Sequence, residues 1–101
     1  MKPSMDRSRQ LLAQMIATNE STAGMAIRVQ GQSLILAREE EAASGEMVPD
    51  DRVRLTNLSP TTWGLSVKRH TGRWEKTPFS GSMKEILDTV WTFMQHLVAP
   101  Y

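Results

Sequence analysis

The chain has 101 residues, 40% of them hydrophobic and 23% charged, with a formal net charge of +1 and no cysteine. Those totals describe one ordinary globular domain over 1–101 and exclude disulfides, thiolate nucleophiles and cysteine metal ligands. No stretch reaches the roughly 18 uninterrupted apolar residues of a transmembrane helix, and no apolar core follows Met1–Arg9 to make a signal peptide; a cytoplasmic protein is expected.

Met5 to Thr18 predicts a helix, because Leu11, Leu12, Met15 and Ile16 recur on one face. Ser4 is its expected N-cap and Asp6 its first-turn acid. Gly24 to Arg38 predicts a hairpin. Met25, Ile27 and Val29 alternate with Ala26, Arg28 and Gln30 before Gly31, and Leu34 and Leu36 alternate with Ser33, Ile35 and Ala37 after it. A two-residue loop, Gln30-Gly31 or Gly31-Gln32, puts all five on one face.

Glu39 to Asp51 holds six acids and no base, lacks periodicity and contains Gly45 and Pro49, so an acidic mobile loop is expected. Alternation resumes from Arg52 to Asn57, a linking strand with Val53 and Leu55 opposed to Arg52, Arg54 and Thr56. A second hairpin follows from Trp63. A two-residue loop, Thr71-Gly72, pairs Lys68 with Glu75, Ser66 with Thr77 and Arg69 with Trp74, and a four-residue loop, 70–73, keeps that register. A three-residue loop would set Val67 against Glu75 and is disfavoured. The favoured register turns Trp63, Leu65, Val67, Trp74 and Pro78 inward, and Ser66, Lys68, His70, Arg73, Glu75 and Thr77 outward.

Ser82-Met-Lys-Glu85 is a capping box. The long helix it opens is expected to run to Val98, with Pro100 stopping it, and to carry an apolar arc of about 160° from Phe93 to Trp91. The fold class is therefore α+β. About five antiparallel strands, two hairpins plus the linking strand, carry the N-terminal helix and the long amphipathic C-terminal helix on one face.

Catalytic chemistry is not indicated. His70 and His96 have no second histidine or carboxylate at ligand spacing, Ser80-Gly-Ser82 is explained by capping, and Glu39-Glu-Glu lacks the pattern of a calcium loop. No enzyme, metal or cofactor is predicted. Two surfaces remain. The helix arc is wider than one sheet contact requires, which makes Trp91, Phe93 and Val98 a candidate protein interface. Seven bases lie between Arg52 and Lys84 against Glu75 alone, which makes Arg52, Arg54, Lys68, His70 and Arg73 a candidate polyanion-binding sheet face. With both hairpin tryptophans inward, that face lacks the aromatics on which single strands stack, Phe79 excepted.

Between Arg52 and Val98 the succession of antiparallel strands, basic hairpin and helix, with a Trp after a Gly turn, loosely resembles the single-stranded-DNA-binding transcriptional coactivators and their Whirly relatives. No residue is carried over from that likeness. The leading expectation is a non-enzymatic module acting through protein contact or as a homodimer. The alternative is nucleic-acid or other polyanion binding through the basic face.

Overall fold

Alternating apolar residues build the sheet, and three helices cover one side of it. The computed structural model describes residues 5–69 and 71–98. Helix α1 (Met5–Ile16) is followed by strands β1 (Ala26–Gln30), β2 (Ser33–Glu41), β3 (Met47–Ser59), β4 (Thr62–Lys68) and β5 (Trp74–Gly81), then α2 (Met83–Phe93) and α3 (Gln95–Val98). The fold is α+β. Its five strands form one antiparallel sheet in the order β1-β2-β3-β4-β5. The expected N-cap Ser4, His70 and Pro100 lie outside the described residues.

The first hairpin is as its alternation predicts. Gln30 pairs with Ser33 around the turn Gly31-Gln32, and Ile27 and Val29 lie opposite Leu36 and Leu34. Gly31 takes φ 58° at the first turn position, the conformation of a type II′ turn that glycine adopts without steric cost. Leu34, Leu36, Val53, Leu55, Trp63 and Leu65 point to the helix side, where they enclose a core with Leu12, Ile16, Met83, Ile86, Leu87, Val90 and Val98.

Three expectations need correction. The acidic segment is not a loop: Arg38 to Glu41 pairs with Met47 to Asp50, so β2 and β3 continue as a hairpin closed by residues 42–46. Ladder hydrogen bonds outweigh the missing apolar periodicity there, because a hairpin projecting past the core has no face to bury. The second hairpin takes the disfavoured register, with Lys68 opposite Trp74 and Val67 opposite Glu75. The Arg69 amide donates to Arg73 O at 2.9 Å across a three-residue loop whose last member, Gly72, has φ 87°. Glycine's access to positive φ there decides the register over side-chain pairing. The C-terminal helix is short. Met94 leaves helical geometry (φ −127°, ψ 24°), and α3 turns Val98 fully into the core.

That turn is held by two arginines. Arg38, only 8% exposed, donates through Nε to Val98 O (2.9 Å), through Nη1 to Ala23 O (2.8 Å) and through Nη2 to Ser21 O (2.9 Å). Arg52 Nη1 donates to Leu97 O at 2.7 Å. Cationic donors on the last carbonyls of a helix satisfy groups that have no intrahelical partner. Burial lowers the Arg38 pKa, and neighbouring Arg52 adds to the effect.

The capping box forms as predicted: Glu85 N donates to Ser82 Oγ and Ser82 N to Glu85 Oε1. The Ser82 amide, then its hydroxyl, holds the Glu85 carboxyl below its ordinary value of 4.5. A depressed carboxyl stabilises the fold above the unfolded pKa, and that contribution disappears as pH falls through the folded one. Glu85→Gln preserves the hydrogen-bonding pattern without a titrating proton. Urea midpoints measured between neutral pH and about pH 3 should therefore fall less in the variant than in the parent chain.

Candidate binding surface

All three helices pack on one face of the sheet, so among the described residues the other face is covered only by its own side chains. Ile35 is nonetheless fully buried there, and Ala37 and Ser66 are nearly so. Long side chains from neighbouring strands lie across them. Arg28 of β1 forms a bidentate pair with Asp51 of β3 (Nη1–Oδ1 2.9 Å, Nη2–Oδ2 2.8 Å), crossing β2 to do so. Lys68 Nζ of β4 approaches the same carboxylate at 3.8 Å. The Asp51 hydrogen bonds raise the Arg28 pKa further, so the guanidinium stays charged.

Trp74 completes this layer. Because Lys68 pairs with Trp74, the indole lies on the helix-free side, with Arg54 Cζ 4.8 Å and Lys68 Nζ 5.7 Å from its ring centroid. The Arg54 Nε is buried without a hydrogen-bond partner, so this guanidinium is committed to the ring on one side and is under-bonded on the other. Lys76, opposite Ser66, extends the same face. Arg28 and Lys68 thus share one carboxylate, Asp51, with Arg54 and Lys76 on the same face, while Glu39 and Glu41 alternate onto this side farther out along β2. Beyond Lys76 the face dips into a groove of about 330 Å³ whose walls include Thr56, Leu58, Gly64 and Phe79. A Cβ at Gly64 would meet Leu58 Cδ1 at 3.2 Å, so the glycine lets Leu58 lie against the sheet.

Of the five predicted polyanion ligands, Arg54 and Lys68 are brought together here. Arg52 is not. Leu36 pairs with Val53 but Ala37 pairs with Asp51, so Arg52 is the extra residue of a bulge. Its guanidinium turns to Asp50 (2.9 Å) and Leu97 O on the helix side. One extra residue reverses the alternation before it. Arg73 lies exposed beyond the start of β5, and His70 is outside the described residues. Sequence reasoning missed Arg28, Trp74 and Lys76. Gly72 as the last residue of a three-residue loop was the signal that could have placed Trp74.

The predicted interface residues are dispersed. Val98 is fully buried in the core. Trp91 packs at the core margin and its Nε1 donates to the buried Thr22 Oγ1 at 3.1 Å. Phe93 alone projects, at 69% exposure. A second concavity, of about 310 Å³, is lined by Asp50, Asp51, Arg52, Lys68, Arg69 and His96 among others. Its charges pair with one another or with Glu75, and no group of three or more His, Asp or Glu among the described residues could hold a metal ion. No helix among them is long and apolar enough to cross a membrane. Comparison with protein-family models, curated proteins and solved structures gives no match, so this surface is read from the chain's own residues.

Proposed function

We propose that the chain is a non-enzymatic binding module whose helix-free sheet face takes a single-stranded nucleic acid. The observation that carries this reading is the position of Trp74 among Arg54, Lys68 and Lys76. Cations alone serve any polyanion through counterion release. An indole among them adds a platform on which an unpaired base can stack, at about 1–3 kcal/mol per base. Cation–π contacts of about 0.5–2 kcal/mol are weak enough for Lys68 to move its ammonium from the ring to a phosphate. Phe79, exposed at the groove, offers a second ring on the path past Lys76.

Direct protein contact through the C-terminal helix loses its support, since Val98 and the Trp91 indole nitrogen are engaged internally. Fluorescence anisotropy with a labelled single-stranded oligonucleotide tests the nucleic-acid reading. Lys68→Ala and Arg54→Ala should each weaken binding similarly across sequences and reduce the slope of log K against log salt by about one. Absence of binding at low salt would sink it.

A further inference from the structure

The two edges of the sheet differ in the features that govern strand pairing. β5 carries several that prevent it. Pro78 has no amide hydrogen, the ladder is irregular opposite Gly64–Ser66, and Glu75 and Lys76 are exposed along the strand. β1 lacks the proline and the irregularity, and its exposed polar residues are Arg28 and Gln30. It pairs with β2 residue for residue, without a bulge, and contains no proline. On its helix side are Ile27, half-buried, and Val29, 39% exposed. Leu11 of α1, the helix packed on this strand, is exposed as well. The one charge of β1 does not guard the edge either. Arg28 folds back across β2 to Asp51, away from the outer side of the strand.

We infer that β1 is an interaction edge and that its occupant is β1 of a second copy, paired antiparallel about a two-fold axis at Arg28. The sequence Ala26-Ile-Arg-Val-Gln30 is apolar on both sides of Arg28, so the axis sets Ile27 against Val29 of the partner subunit, and the reverse. At the axis the two arginines meet by backbone only, each guanidinium being neutralised by its own Asp51. A two-fold axis normal to the sheet keeps every helix on one side. It joins the two helix-free faces into one surface of twice the width. An unrelated peptide would pair equally with any apolar strand and would need no such symmetry. The inference does not rest on the nucleic-acid reading: β1 adds Arg28 to that face, but the proposed pairing uses the strand's backbone with Ile27 and Val29, and its test reads association without any nucleic acid.

Sedimentation equilibrium of the full chain across the micromolar range tests it. The parent chain should dimerise. Val29→Lys, at a position the monomer already exposes, should weaken the dimer on the order of tenfold or more, because each dimer buries two copies of the substitution. Phe93→Ala should leave it unchanged. A parent chain that stays monomeric, or a dimer indifferent to Val29→Lys, overturns the inference. Hydrogen exchange on the parent chain gives a readout that does not depend on the variant folding. Amides of β1 should gain protection as concentration rises while those of β5 do not, and equal behaviour of the two edges overturns it.

Discussion

Arg38→Met should destabilise the protein by about 3–5 kcal/mol, since it removes three charge-assisted hydrogen bonds of about 1.5–3 kcal/mol each while relieving the burial cost of one cation. Arg38 has no carboxylate partner in this role; its three hydrogen bonds go to backbone carbonyls of Ser21, Ala23 and Val98. Those carbonyls lie on two segments far apart in sequence, the 19–24 connection and the end of α3. Truncation removes a donor from each, and an acceptor left buried and unpaired costs about 1–3 kcal/mol. Methionine fills much of the aliphatic volume, so the loss reports the hydrogen bonds more than a cavity. Against a typical total of about 5–15 kcal/mol, such a loss brings the domain close to unfolding at moderate temperature. Arg38→Lys should recover only part of it, because one ammonium cannot span three carbonyls held by a planar fork. Urea denaturation followed by far-UV circular dichroism measures both variants, and a loss below about 1 kcal/mol for Arg38→Met would show that the carbonyls find other donors.

The two hairpin tryptophans should separate stability from binding. Trp63→Ala is expected to cost about 3–5 kcal/mol, since its side chain is 6% exposed within the core formed with α2. Oligonucleotide affinity per folded molecule should then change little. Trp74→Ala should do the reverse. Its ring is partly exposed and touches mainly Arg54 and Lys68, so stability should fall by about 1 kcal/mol. Loss of a stacked base should weaken single-strand binding by roughly tenfold or more. Equal destabilisation by both variants would place Trp74 in the core and remove the aromatic element from the proposed surface. Unchanged affinity in a folded Trp74→Ala protein would leave only a charge-driven contact.

Elements whose determinants are local were legible in the chain. The capping box at Ser82–Glu85, the Gly31-Gln32 turn and the inward set Leu34, Leu36, Val53, Leu55, Trp63 and Leu65 follow from neighbours a few residues apart. Strand count and fold class follow from the same patterns. The candidate surface was legible in half. Arg54 and Lys68 alternate outward from a strand's own residues, but Arg52 and Trp74 depend on where the alternation restarts. Pairing opposite charges and hydroxyls across the second hairpin chose the register that sends Trp74 inward, and that choice separated aromatic from basic residues. The observed register reunites them.

The sequence by itself determined that this chain is an α+β domain, most of the residues that line its helix-side core, and that its basic residues gather in the second half. Tertiary structure alone decided the register of β4 against β5, the bulge at Arg52 and the break at Met94. The first two share one reason. A side chain's face on a strand has a period of two residues, so one inserted residue or one residue of loop length reverses it. Apart from Gly72 at the second hairpin, no local pattern marks such insertions. They are fixed by distant partners, here the Leu97 and Val98 carbonyls that capture Arg52 and Arg38, and the sheet face that receives Trp74 beside Arg54.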